Sequence, residues 1–347
     1  MAYRMSDVAE RAGVSKATVS RVLNNGKFID PETRQRVLEV ARQLRYYQNV
    51  HARRLAHGRS DLFGLIISEI ANPFFPEVMR GFEEAALTKG FEVVLCNTEY
   101  GPERIDAAVR KMIENKVRGA AVMTSVMDAE HIKELVSHDI ATVLLDQERS
   151  ERYLSSIRID YAGAVSQAID HLWELGHRRF AFIAGPGNIR SAQNFRQAVL
   201  ETFEERRVQL CRVLEGNHKV DGGAAAARTL LEGPSLPTAI LCGNDLTAIG
   251  VMDALESARV SVAKDVSVVG FDDIYFAHLA RPALTTIRLS RGELGRLAFE
   301  ALDKTLHSRQ KVGALYTCET ELVVRRSTGP VKPGDRALHC ARIRKHR

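Results

Sequence analysis

Lys16, Ala17, Ser20 and Arg21 put two cations, a methyl and a hydroxyl on one face of any helix that contains them. At 100° per residue from Lys16 they fall at about 0°, 100°, 40° and 140°. Val19, Val22 and Leu23 fall at about 300°, 240° and 340° and form an apolar face. The polar face suits the major groove of duplex DNA, with its guanine acceptors, thymine methyls and flanking phosphates. A helix with a merely solvated polar face has the same period, so the spacing alone leaves both readings open. Catalytic patterns are missing. Gly185-Pro186-Gly187 begins like a dinucleotide fingerprint, but Arg190 stands where the third glycine belongs. There is no GxxxxGK[ST], HExxH or GxSxG, and the scattered Asp and His have no nucleophile at fixed spacing. No enzyme, cofactor or metal site is expected.

Three short helices would position that face. Ser6 to Ala12 has helical patterning and ends at Gly13, a C-cap. Ser15 caps a second helix, Lys16 to Leu23, which Asn24-Asn25-Gly26 stops. Asp30, Pro31 and Glu32 open a third that runs to about Leu44. Two short helices joined through a tight glycine turn predict a helix-turn-helix. Charge separates this head from the rest: residues 1–60 carry +7, residues 61–330 carry −6 and residues 331–347 carry +5. A basic head on an acidic body fits a DNA-reading module joined to a part that does not touch DNA.

The length of 347 residues implies two or three folding units. From Leu62 the pattern changes to short apolar runs alternating with amphipathic stretches. The runs include Leu62–Ile67, Phe91–Cys96, Ala120–Met123, Ala141–Leu145, Phe180–Ala184, Ala239–Cys242, Val266–Gly270 and Leu322–Val324. Such runs are strands buried on both faces, and the alternation predicts α/β architecture with parallel sheets. Two doubly wound lobes with a cleft at their strand ends follow for a body of this size. No run approaches the roughly 18 apolar residues of a membrane helix. The start of the chain lacks an apolar signal segment, and Cys96, Cys211, Cys242, Cys318 and Cys340 have no metal-ligand or CxxC spacing. A reducing cytoplasm, without membrane attachment, is expected.

Asp7-Val8-Ala9-Glu10-Arg11-Ala12-Gly13-Val14-Ser15-Lys16-Ala17-Thr18-Val19-Ser20-Arg21-Val22-Leu23-Asn24 resembles the N-terminal signature of the lactose-repressor (LacI/GalR) family of bacterial transcription regulators. The likeness continues through Pro31-Glu32-Thr33-Arg34 and Asn49-Val50-His51-Ala52-Arg53-Arg54-Leu55-Ala56. It implies that Lys16, Ala17 and Arg21 read bases and that Ser15, Thr18 and Ser20 reach phosphates. Residues 49–60 would be a hinge helix and linker. There Leu55 would wedge into the minor groove, with Arg53 and Arg54 meeting phosphates. Gln48 replaces the usual proline before Asn49, which loosens the approach to that hinge.

The body is similar to the family too, through Asn72-Pro73-Phe74-Phe75, Gly176-His177-Arg178-Arg179, Gly185-Pro186, Cys242-Gly243-Asn244-Asp245, Val268 to Asp273 and Arg281 to Ile287. The resemblance spans about residues 5–328 and implies a periplasmic-binding-protein-like core that dimerises and holds a small effector between its lobes. The expected domains are residues 1–48 for the head, 49–60 for the hinge, 61–330 for the core and 331–347 for a basic disordered tail. Within the core, the N-lobe is expected at about 61–159 plus 290–325 and the C-lobe at about 160–289. The implied effector contacts are Phe74, Phe75, Arg190, His218, Asn244 and Asp272, which suit a sugar or a nucleobase. Asp273 is expected to cap the helix that follows, and His177 and Arg178 to be structural. The tail has no leucine heptads, so no zipper is expected. The reading is therefore a homodimeric regulator, a repressor, on a pseudo-palindromic double-stranded operator, controlled by a small molecule.

Overall fold

The computed structural model describes residues 3–23, 28–46 and 60–332. Residues 1–60 and 61–347 are separate compact units. The head holds α1 (Met5–Ala12), α2 (Lys16–Leu23) and α3 (Pro31–Gln43). Gly13 takes φ 64°, a left-handed turn that a residue with a side chain adopts only at a cost. Ser15 Oγ accepts from the Thr18 N–H at 3.1 Å, and Asp30 Oδ2 from the Thr33 N–H at 2.9 Å, so both predicted caps form. Val8, Val19, Val22 and Val37 are buried at the meeting of the three helices.

The body contains two six-stranded sheets. In the first, β1 (Leu62–Ile67), β2 (Glu92–Asn97), β3 (Gly119–Met123), β4 (Ala141–Leu145), β5 (Leu154–Ile159) and β11 (Leu315–Cys318) lie in the order β11-β5-β4-β3-β1-β2. Its helices are α4 (Phe74–Thr88), α5 (Pro102–Glu114), α6 (Ala129–Ser137) and α12 (Arg291–His307). In the second, β6 (Arg179–Ala184), β7 (Gln209–Glu215), β8 (Ala239–Cys242), β9 (Ser267–Asp272), β10 (Thr285–Leu289) and β12 (Thr320–Val323) lie in the order β12-β10-β9-β8-β6-β7. Its helices are α7 (Tyr161–Glu174), α8 (Arg190–Glu205), α9 (Val220–Leu231), α10 (Asp245–Ser257) and the short α11 (Tyr275–Leu279). All pairings are parallel except β10 with β12. This is the predicted pair of doubly wound lobes.

The third crossing between lobes falls earlier than the expected boundary at residue 325. Only Glu319 separates β11 in the N-lobe from β12 in the C-lobe. The exposed edge of β10 captures Thr320–Val323 as an antiparallel strand, with Ile287 opposite Leu322. The chain then stays on the C-lobe. His177 Nε2 meets the Gly329 carbonyl at 3.0 Å, the Val331 N–H donates to the Leu175 carbonyl at 3.0 Å, and Lys332 pairs with Asp265. Residues 331 and 332, placed in the disordered tail by the sequence reading, are thus docked. The rest of that tail lies outside the described residues.

Four strands have no continuous apolar run. In β5, Ser155 and Ser156 are fully buried. Their hydroxyls are satisfied internally, by Thr305 Oγ1 at 3.0 Å and by the Arg149 carbonyl at 2.6 Å. In β10, Thr285 and Thr286 are buried with hydroxyl partners on Thr328 and Asp245. β7 and β11 lie at sheet edges, where most of their residues are exposed or half-buried.

Candidate effector cleft and DNA-reading helix

On α2, Lys16, Ala17 and Arg21 are exposed, while Val19 and Val22 are buried. The helix presents the face that its angles predict. Ser15 is exposed, and Thr18 and Ser20 are half-buried. Ser15 Oγ and Thr18 Oγ1 lie 3.0 Å apart, which orients one hydroxyl against the other at the start of the helix. Arg53, Arg54 and Leu55 lie outside the described residues.

In the body, the C-terminal ends of both sheets converge on a cleft cavity of about 100 Å³. Phe74, Phe75, His218, Asn244 and Asp272 all line it. Phe74 and Phe75 open α4, nine-tenths buried and edge to face at 5.2 Å, so each is core and wall together. Arg190 is exposed at the first turn of α8 and is not part of the wall; its neighbours Ser191 and Ala192 are. Phe195, four residues after Ser191 and on the same face of α8, lines the cavity with them. Among the described lining residues there is no lysine or arginine.

His218 takes φ 60° and tucks its ring beneath Gly185. A Cβ at Gly185 would come within 1.9 Å of His218 Nε2, so a side chain there would displace the His218 ring. Burial pushes the imidazole down to about 4, which keeps it neutral near pH 7. Asn244 caps α10, accepting from the Thr247 N–H at 2.9 Å, and donates to the His218 carbonyl at 3.0 Å. Most of its amide is thus committed to holding loops, and it borders the cavity as a positioning group.

Asp272 ends β9 at φ 107°, followed by Asp273 at φ 56°. Two consecutive non-glycine residues in this region store strain that the surroundings must hold. Asp245 holds them from one side. It is fully buried at the start of α10, accepting from the Ile274 N–H at 2.7 Å and from the Thr286 hydroxyl at 2.5 Å. Arg291 holds them from the other: its Nη1 donates to the carbonyls of Asp272 and Asp273, and its Nη2 pairs with Glu77 of α4 at 2.9 Å. Burial raises the Asp245 carboxyl to about 7. Burial, then the Asp245 charge, raises Asp272 well above the carboxylate range. Asp273 does not cap α11 as expected. The turn directs it to Arg288 at 2.8 Å and Arg325 at 2.5 Å, and Ile274 occupies the cap position.

The lobes meet across the cleft. Ser125 Oγ and Ser191 Oγ are 3.0 Å apart, Tyr161 donates to Asp146 at 3.1 Å, and Lys219 lies 3.4 Å from Glu69. Burial raises the Asp146 carboxyl to about 6. Sequence reasoning missed Tyr100, Tyr161, Phe195 and Asp146. Only the rule that ligands gather at strand ends could have found Tyr100 and Asp146, which follow β2 and β4. His177 is structural, buried between Ser267 Oγ at 2.9 Å and the Gly329 carbonyl, and Arg178 stacks on Trp173. Among the described residues no cluster of three His, Cys, Asp or Glu could hold a metal ion, and no helix is long and apolar enough to cross a membrane.

A basic reading helix on one unit and a two-lobed cleft in the other define a ligand-responsive DNA-binding regulator. Residues 4–49 match the family described as bacterial regulatory proteins, lacI family, and residues 169–328 match the periplasmic binding protein-like domain. Catabolite control protein A of Priestia megaterium is 30% identical over 327 residues, covering 93% of this chain and 98% of that protein. The ribose operon repressor of Halalkalibacterium halodurans is 33% identical over 322 residues, covering 93% and 96%. The HTH-type transcriptional repressor PurR of Vibrio cholerae is 31% identical over 327 residues, covering 92% and 96%. The lac repressor dimer bound to operator and the anti-inducer ONPF superposes with a TM-score of 0.86 at 27% identity, over 95% of this chain and 100% of that one. The transcriptional regulator CelR–cellobiose complex gives 0.70 at 27% identity, over 94% and 99%. The chain belongs to the lacI family of bacterial regulatory proteins, and it is a DNA-binding transcription regulator.

Proposed function

We propose that the protein is a homodimeric repressor whose hold on a pseudo-palindromic operator is set by a neutral sugar or sugar derivative in the inter-lobe cleft. The observation that carries this reading is the cavity wall: aromatic faces, hydroxyls and Asp272, with no cation among the described lining residues. Flat aromatic rings suit the apolar face of a sugar, and a fixed carboxyl suits its hydroxyls. Lys16, Ala17 and Arg21 read bases; Ser15, Thr18, Ser20, Arg53 and Arg54 meet phosphates; Leu55 opens the minor groove at the dyad. Two-fold symmetry of the dimer demands the matching symmetry of the site. Phe74, Phe75, His218 and Asp272 contact the effector, Asn244 positions the His218 loop, and Arg190 stands outside. Ligand-driven reorientation of the lobes alters the hinge spacing and so couples the two sites by about 1–3 kcal/mol. The cleft binds without turnover. Cys96, Cys211, Cys242 and Cys318 are free, which supports a reducing cytoplasm as the place of action.

In vitro selection from a random DNA library tests the reading, with the full chain beside a chain starting at Asp61. A palindrome enriched only by the full chain is expected. With 6–10 phosphate contacts, affinity for it should fall by roughly 10³–10⁵ between 50 and 200 mM salt. No enrichment, with or without added sugars and nucleobases, would overturn operator reading. Leu55→Ala should weaken specific binding while non-specific binding persists; equal loss of both would remove the wedge.

A further inference from the structure

We propose that Arg291 is a positioning residue for regulation, the strut that carries effector occupancy at Asp272 into the N-lobe, which the chain enters directly from the head. This rests on the reading of Asp272 as an effector contact. The Arg291 side chain is buried at the first turn of α12 and divides its donors between the lobes. Nη1 donates to the carbonyls of Asp272 and Asp273 in the C-lobe, and Nη2 pairs with Glu77 of the N-lobe at 2.9 Å. In an extended strand, consecutive carbonyls point to opposite sides of the chain. One nitrogen serves both here because Asp272 and Asp273 take φ 107° and 56°. Arg291 therefore holds only the turned form of this segment, and straightening it breaks at least one of the two bonds.

On the N-lobe side the strut meets a rigid pair of helices. A Cβ at Gly81 would come within 2.0 Å of the Gly292 carbonyl, and one at Gly295 within 2.0 Å of the Val78 carbonyl. Helices α4 and α12 thus touch backbone to backbone, and Glu77 lies one turn before Gly81 on α4. A shift of the Asp272 turn passes to both helices together. On the cleft side, Asp272 and Leu289 both line the cavity, and Leu289 stands two residues before Arg291. Ties such as Ser125–Ser191 and Lys219–Glu69 join the lobes at other loops. The Asp273 side chain is held within the C-lobe, by Arg288 and Arg325. Arg291 Nε is buried with no hydrogen-bond partner among the described residues. That unmet donor favours a second arrangement of the lobes in which it finds an acceptor, and two arrangements are what a coupling element requires.

Fluorescence anisotropy tests this on the full chain and its selected palindrome, with ribose, glucose, galactose, cellobiose, hypoxanthine and guanine added in turn. One of these should change operator affinity about 5–150-fold in the unaltered protein. Arg291→Lys keeps a cation but not the fork that spans two lobes, and should cut that change to about twofold or less. Glu77 is outside the cavity wall. Glu77→Gln should cut the change about threefold, with ligand affinity of the DNA-free protein held within about twofold. It carries the test should the lysine variant unfold. Arg325→Lys loosens the same turn inside the C-lobe alone and should leave the change intact. An undiminished change in Glu77→Gln, or an equal loss in Arg325→Lys, would overturn the strut and leave the effector reading standing. No change in the unaltered protein with any of the six ligands would overturn both.

Discussion

The two lobes are wired alike and finished differently where they face each other. Five strands of each sheet follow the same order and direction, so equivalent loops meet across the cleft. After β1, β2 and β3 the N-lobe presents Ser68, Tyr100 and Ser125, backed by the Phe74–Phe75 pair. After β6, β7, β8 and β9 the C-lobe presents Gly185, His218, Asn244 and Asp272. Behind the C-lobe loops stand side chains that bond to backbone: Asn244 to the His218 carbonyl, Asp245 to the Ile274 N–H. Both lobes bring aromatic and polar groups to the cavity, but the one carboxylate among its described lining residues, Asp272, comes from the C-lobe, and Arg291 is where the N-lobe grips the turn that carries it.

Cutting that grip should have the largest effect. Arg291→Met strands Glu77 and frees the strained turn, and the midpoint of urea unfolding should report a loss of about 3 kcal/mol. A neutral result would show that the turn holds itself. Asp272→Ala should weaken the effector about 100-fold in calorimetry and leave operator affinity intact. An intact effector response would move recognition off the C-lobe. Asp245→Asn tests the buried acid. Its folded value of about 7 lies above the unfolded value of about 4, so the folded state binds more protons between them. Stability from this group is highest below about pH 4 and falls as pH rises through 7, by about 2 kcal/mol between pH 5 and 7. Asparagine keeps the neutral shape, so urea midpoints of the variant should lose that slope. An unchanged slope would assign it to another carboxyl, such as Asp146 in the N-lobe. Phe74→Leu should cost least, about fivefold in effector affinity, or about 1 kcal/mol. If it matched Asp272→Ala, the Asp272 carboxylate would not be the dominant contact of the cavity wall.

The sequence was most readable where burial repeats. Leu62–Ile67 is apolar throughout and buried throughout, so one glance assigns a central strand. Ser155 and Ser156 are buried just as deeply, but their hydroxyls are satisfied by partners such as Thr305, 150 residues away, and no local pattern reveals that. Asp272 was legible because it sits inside a long motif at a strand end. Asp245 and Asp146 were not, since one buried acid leaves no periodic trace. Arg190 is a different case: it is exposed on the first turn of α8 and outside the cavity wall, although its charge acts on Asp146 at the inter-lobe contact. Asp273 was misread because the arginines that claim it come from β10 and from residue 325.

The three crossings between lobes, at about residues 160, 290 and 319, also bear on how such a protein can be reshuffled. No contiguous stretch of gene encodes either lobe, so a single recombination event cannot trade one for a foreign counterpart. Residues 1–60 connect to the remainder by one peptide bond, at the Ser60–Asp61 junction. New DNA addresses are thus open to exchange in one cut, while ligand preference must change residue by residue along the cleft.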